Sequence, residues 1–346
     1  MFEVMEVLTN GGLYKMSEEK LNPVAAETAV ATTETVTMAS VLHDPNAPVV
    51  TLRKLLEAGV HFGHPTRKWN PKMKPFIYIA RNNIYILDLV KTAEQVKKAY
   101  DGLKLIVENG GKVLFVGTKQ QISTSVEEEA IRSGSFYISN RWLGGTLTNF
   151  KTIQTRIKTL KDLEQSEEDG TMALKPKKEA SKLRKEKDKL LKNLEGIKEM
   201  RKLPNAMVVV DPSIEYNAIA EAKKLGIPVF AIVDTNCNPD GIDFVIPGND
   251  DAVKSVKLIL GLLADSIVEA KGGEVTVAFT KDDEADVTMK DAIRQVDKEN
   301  AARLAAIREQ RRIKQEQLEK AMSERAARYA AKRDTQKVEE KHEEVK

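Results

Sequence analysis

The 346-residue chain reads as an α/β protein: a mostly parallel sheet flanked by helices, carrying an inserted antiparallel coiled-coil helical hairpin. Three observations predict this. "KVLFVGT" (112–118), "AMVVVDP" (206–212), "PVFAIVDT" (228–235) and "DFVIPG" (243–248) are short, nearly unbroken apolar runs, the pattern of strands buried on both faces. Helical stretches, "QQISTSVEEEAIRSG", "SIEYNAIAEAKKLGI" and "DDAVKSVKLILGLLADSIVEA", lie between or after these runs, and such alternation builds a parallel sheet with helices on both sides. Finally, residues 151–203 break the rhythm with two charged helical stretches.

Taken in order, residues 1–50 hold two Lys against six Glu and one Asp and show no hydrophobic period, which predicts a disordered acidic leader. A folded domain is expected over 51–275. It opens with "TLRKLLEAGVHFGH", a short amphipathic helix and then a polar loop, and "PFIYIA" (75–80) and "IYILDL" (84–89) suggest an antiparallel addition at one sheet edge. Gly134 and Gly226 close two of the helices as C-terminal caps.

Within 151–203, Ile153, Ile157, Leu160 and Leu163 recur along the first helix, and Leu183, Leu190, Leu194 and Ile197 along the second. Two narrow seams joined by the turn-like "SEEDGTMALKP" predict an antiparallel hairpin. It carries sixteen Lys plus Arg against ten Asp plus Glu. Residues 276–346 are charged, rich in Ala, Glu, Lys and Arg, and expected to be partly helical without a strict stripe to bury.

Composition narrows the function classes. One cysteine, Cys237, precludes an internal disulfide framework and fits a reducing compartment. The first residues lack the positive n-region of a secretory signal, and no apolar run approaches the roughly 18 residues of a membrane span, so a cytoplasmic protein is expected. "KVLFVG" is followed by "TKQQIS", with neither G-x-G-x-x-G nor G-x-x-x-x-G-K-[ST]. No loop there is built to wrap a phosphate in backbone amides.

Asp211 and Asp234 stand at strand ends, where a catalytic carboxylate can sit, but Asp commonly caps strands and forms turns there. The "NPDGIDFVIPGNDDA" run brings Asp240, Asp243, Asp250 and Asp251 without calcium-loop spacing. His61 and His64 are three apart, but no Cys or third His lies nearby, so core or solvent roles are favoured over zinc. Cys237 has no basic context and no partners for a triad. No catalytic residue, metal or cofactor is assigned.

What remains points to RNA. Between Arg53 and Arg81 lie seven basic residues and one acid, interleaved with Phe62, Trp69, Phe76 and Tyr78; the cations attract phosphate and the rings can stack. The second Trp stands in "SNRWLGGTLTNFKTI" (139–153), a stretch without hydrophobic period.

"LLEAGVHFGHPTRKWNPKMKPFIYIARNNIYILDLVKT", "RWLGGTLTNFKTI" and "LGIPVFAIVDTNCNPDGIDFVIPGNDDA", in this order, resemble the bacterial small-subunit ribosomal protein two family over about residues 51–270. The resemblance implies a Rossmann-like α/β sandwich with a protruding coiled-coil hairpin, bound to small-subunit ribosomal RNA and neighbouring ribosomal proteins. It implies no catalysis, no small-molecule substrate and no membrane. RNA contacts are expected at Arg67, Lys68, Trp69, Lys72, Lys74, Arg81, Arg141, Thr146, Thr148, Asn149 and Lys151.

By the same resemblance, Trp142, Gly144, Gly145 and Phe150 form the hinge between sheet domain and hairpin, with Trp142 and Phe150 as wedges. The chain departs from the family where Glu195-Gly196 and Arg201-Lys202 stand in place of glycine pairs. A different class, a nucleotide-dependent enzyme on a doubly wound scaffold, is the alternative.

Overall fold

A computed structural model describes residues 48–279 and, along the tail, 290–291, 293–294, 297–298, 301–302, 305–306, 308–317 and 322. Residues 1–47, the bulk of the expected leader, lie outside the described residues.

The chain enters with Val49 and Val50 buried. Helix α1 (Leu52–Glu57) is capped by Thr51, whose hydroxyl accepts from Lys54 N. Strands β1 (Phe62–Pro65), β2 (Ile77–Arg81) and β3 (Ile84–Leu87) follow, and β3 pairs antiparallel with both others. These three form a separate sheet in the order β1-β3-β2, which corrects the expectation of an addition at the edge of the main sheet. The reason is local: consecutive strands joined by the short Asn82-Asn83 turn, both residues at positive φ, pair with each other first.

Helix α2 (Leu89–Glu108), capped by Asp88, leads to β4 (Val113–Val116), α3 (Ser123–Arg132) and β5 (Phe136–Ile138). After the helical insertion come β6 (Ala206–Val210), α6 (Tyr216–Leu225), β7 (Val229–Val233), β8 (Phe244–Pro247) and α7 (Val253–Ala270). The main sheet is wholly parallel in the order β5-β4-β6-β7-β8. Its central strands are buried at every position, and each such aliphatic side chain removed from water contributes roughly 1.5–3 kcal/mol. One core lies on the α2 and α7 face around Tyr100, Phe115 and Phe230; the other gathers Leu114, Met207 and Val209 with residues of the insertion.

The insertion consists of α4 (Phe150–Glu168) and α5 (Lys177–Leu194). They run in opposite directions: Gln154 meets Arg201, Lys161 meets Glu199, Lys198 meets Glu164, and Lys187 meets Glu167. Ile153, Ile157, Leu160, Leu194 and Ile197 are buried between them or against the sheet, while Leu163, Leu183 and Leu190 are half-buried.

After α7 the chain turns back onto the core. Buried Asp265 accepts from the backbone N–H of Thr276, Val277 and Ala278, and Phe279 donates its N–H to Val49 O. Residues 276–279 are thus tied back to the core.

Candidate nucleic-acid interface

In an open parallel sheet, ligands bind at the carboxyl ends of the strands, where the strand order reverses. Here that place is the gap between β4 and β6. The chain closes it with its own side chains. Thr118, just after β4, donates its N–H to Glu215 at 3.1 Å. Lys119 Nζ lies 2.8 Å from Asp211 and 2.9 Å from both Asp250 and Asp251. Burial disfavours the Lys119 charge, but the three carboxylates outweigh it and hold its pKa above the ordinary lysine value.

Asp211 takes a left-handed backbone at φ 61° and folds an Asx turn in which Ser213 N donates to its Oδ1 at 2.9 Å. The expected turn role is therefore present, and an ion pair is added to it.

His64, on β1, continues the cluster across the sheet. Its Nδ1 is 2.9 Å from Asp234 and its Nε2 is 3.3 Å from Asp251, and these carboxylates raise its pKa. Asp250 is buried and stands near Asp234 and Asp211, so its carboxyl is pushed up to about 7. Among the described residues, the cations bonded to these four aspartates are Lys119 and His64.

Two sets of ligand atoms, His64-Asp234-Asp250 and Asp211-Cys237-Asp250, each lie within 4.8 Å and can hold a cation. Oxygens with one imidazole suit a divalent metal. Sequence spacing missed the first set because its partners lie about 170 residues from His64. His61, considered beside His64, instead points into the core: it is fully buried against Phe62, with neither ring nitrogen hydrogen-bonded. Burial raises the Cys237 thiol to about 12, which makes it a poor nucleophile.

The basic loop lies over these strand ends. His64 N donates to Thr235 Oγ1 and Asn70 N to Thr235 O, each at 2.8 Å, so residues 64–70 are fastened to the end of β7. From this anchored backbone Arg67, Lys68, Lys72 and Lys74 are exposed. Trp69 is half-buried, its ring 5.2 Å from that of Tyr85. Lys72 pairs with Asp240, and Arg81 makes a two-pronged contact with Asp297 of the tail at 2.9 and 3.0 Å.

The second expected contact stretch behaves differently. Arg141, Thr148, Asn149 and Lys151 are exposed, but Thr146 is buried and donates its hydroxyl to Leu143 O. Thr146 faces the protein, because the tight 143–146 turn consumes its hydroxyl. Thr148 spends both its N–H and hydroxyl on Glu221, and the Trp142 indole N–H also donates to Glu221, at 3.1 Å. Trp142 and Phe150 pack half-buried against the second core. Gly145 takes φ 89°, the left-handed backbone the turn needs, whereas Gly144 has open space around it.

The fold and this surface define an α/β protein in which Lys119 bridges the aspartates at the β4–β6 crevice and the loop beside it presents exposed cations. The model of the family described as Ribosomal protein S2 matches residues 55–270, and the chain belongs to that family. It is accordingly a ribosomal protein of the small subunit, which serves translation.

Proposed function

We propose that the protein acts, in the bacterial manner of its family, as a structural and non-catalytic component of the small subunit on cytoplasmic ribosomes. In this reading it binds small-subunit ribosomal RNA and neighbouring ribosomal proteins. The observation that carries it is the loop 64–76, which is pinned by its backbone to the end of β7 and presents Arg67, Lys68 and Lys74 outward. Fixed backbone with projecting cations suits phosphate contacts that position a protein on RNA.

The α4–α5 pair works as a coiled-coil hairpin and adds the second basic surface, with Arg141 and Lys151 at its root. Against a nucleotide-dependent enzyme stands the acidic, self-paired crevice, which repels phosphate. The deciding experiment is co-sedimentation with small subunits through a moderate-salt wash. Retention supports the reading; loss, together with saturable nucleotide binding to the free protein, overturns it.

A further inference from the structure

Glu221 stands on α6, yet it binds five donors on a loop some seventy residues earlier in the chain. Its Oε1 accepts from Trp142 Nε1 at 3.1 Å and Gly145 N at 2.7 Å. Its Oε2 accepts from Leu147 N and Thr148 N at 3.0 Å and from Thr148 Oγ1 at 3.1 Å. Two carboxylate oxygens offer about four lone-pair sites, so this acceptor is saturated. Hydrogen bonds to an ionised oxygen are also roughly twice as strong as neutral ones. The backbone N–H groups of Gly145, Leu147 and Thr148 make a ready anion cradle, and the protein's own side chain fills it.

The cradle lies where the chain leaves the sheet for α4. On the return side the chain is held by an Asn140 Nδ2 bond to Lys192 O at 2.9 Å, by the close approach of Gly196 to Tyr137 and by Leu194, Ile197 and Met200 buried in the second core. Among the described residues no other side chain bonds both Trp142 and the 145–148 backbone.

We propose that Glu221 is a positioning residue that sets the direction in which the α4–α5 pair leaves the sheet domain. Through it, the basic surface of the pair and the basic 64–76 loop meet one RNA surface together. This rests on the RNA-binding reading above. Two binding surfaces joined rigidly engage as one, whereas a loose joint lowers the fraction of molecules in the binding orientation and raises the apparent Kd in proportion.

The test uses the full chain in a Cys237→Ser background, with spin labels on Leu174→Cys, at the far end of the pair, and Lys254→Cys, on α7. Both positions are exposed. The wild-type joint is expected to give one narrow distance distribution. Glu221→Ala should broaden it, and formate should narrow it again by refilling the cradle, where chloride at equal ionic strength should not. Glu221→Gln keeps the shape but turns an amide NH2 toward donors, so it too should broaden the distribution and serves if the Ala variant folds poorly.

If the binding orientation falls to about a tenth of the population, co-sedimentation affinity drops about tenfold. An unchanged distribution in both variants, or a broadened one with undiminished affinity, overturns the proposal. Failure of wild type to co-sediment would instead strike the RNA-binding reading and leave the distance measurement standing.

Discussion

Lys119 Nζ and Asp211 Oδ2 meet at 2.8 Å across the gap between β4 and β6, the position where an open α/β sheet ordinarily admits its ligand. Both side chains are largely buried. Removing one partner of such a pair strands the other charge, at a cost of about 3–5 kcal/mol. Lys119→Met should therefore lower stability by that order in urea melts at neutral pH. A variant within about 0.5 kcal/mol of wild type, the usual range for surface changes, would show that the pair is idle.

His61 predicts a pH dependence. It is fully buried, its ring nitrogens are unpaired, and burial lowers its pKa from 6.5 to about 4. A lowered folded-state pKa means that the unfolded chain takes up the proton first. The stability contribution is thus intact above about pH 6.5 and is lost as pH falls toward 4, amounting to roughly 3 kcal/mol. His61→Leu should remove this part of the acid sensitivity and match or exceed wild type at neutral pH, since replacing an unpaired polar group by an apolar one is nearly neutral or stabilising. Urea melts of both proteins at pH 7.5 and 4.5 decide it; equal acid losses in the two would count against the assignment.

Gly196 predicts a steric limit. A Cβ built there would lie 2.2 Å from Tyr137 O, a backbone atom with little room to retreat. Gly196→Ala should cost at least the 1–3 kcal/mol typical of overpacking, while Glu195→Gly, at an exposed neighbour, should change the melting temperature far less. A Gly196→Ala protein that melts like wild type would mean the 195–197 turn can shift.

Unbroken apolar runs and a helical period made four of the parallel strands, the two inserted helices and the Gly134 and Gly226 caps legible in the sequence, because burial on both faces and along one seam writes itself into local composition. The two cap glycines do take left-handed φ values of 59° and 70°. Strand β5 was not legible, since Phe136–Ile138 is only three residues long. Nor was α2 singled out, although Val96, Ala99, Leu103 and Val107 recur at helical spacing. The basic loop was visible as composition. The acid cluster and the contacts of Glu221 were not, because His64 reaches Asp234, and Glu221 reaches Gly145, only after the sheet has formed. No local pattern encodes a pairing between residues so far apart in the chain.

The last prediction ranks the cations of the basic surface. Arg67, Lys68 and Lys74 are exposed and form no ion pair within hydrogen-bonding distance among the described residues. Lys72 and Arg81 already pair with Asp240 and Asp297. A phosphate that recruits Lys72 or Arg81 must first displace a carboxylate, and exposed pairs of this kind are weak in water, so the gain is reduced but not abolished. Arg67→Gln, Lys68→Gln and Lys74→Gln should each weaken ribosomal RNA binding and reduce the log-log salt slope by about 0.7 to 0.9 for every phosphate the side chain neutralises. Lys72→Gln and Arg81→Gln should reduce it less. Asp297→Asn, which releases Arg81, should strengthen binding at low salt. All six substitutions lie at the surface, so melting temperatures should stay close to wild type. RNA titrations across a salt series read the slopes directly, and a slope unchanged by Arg67→Gln, Lys68→Gln and Lys74→Gln together would remove the loop from the interface.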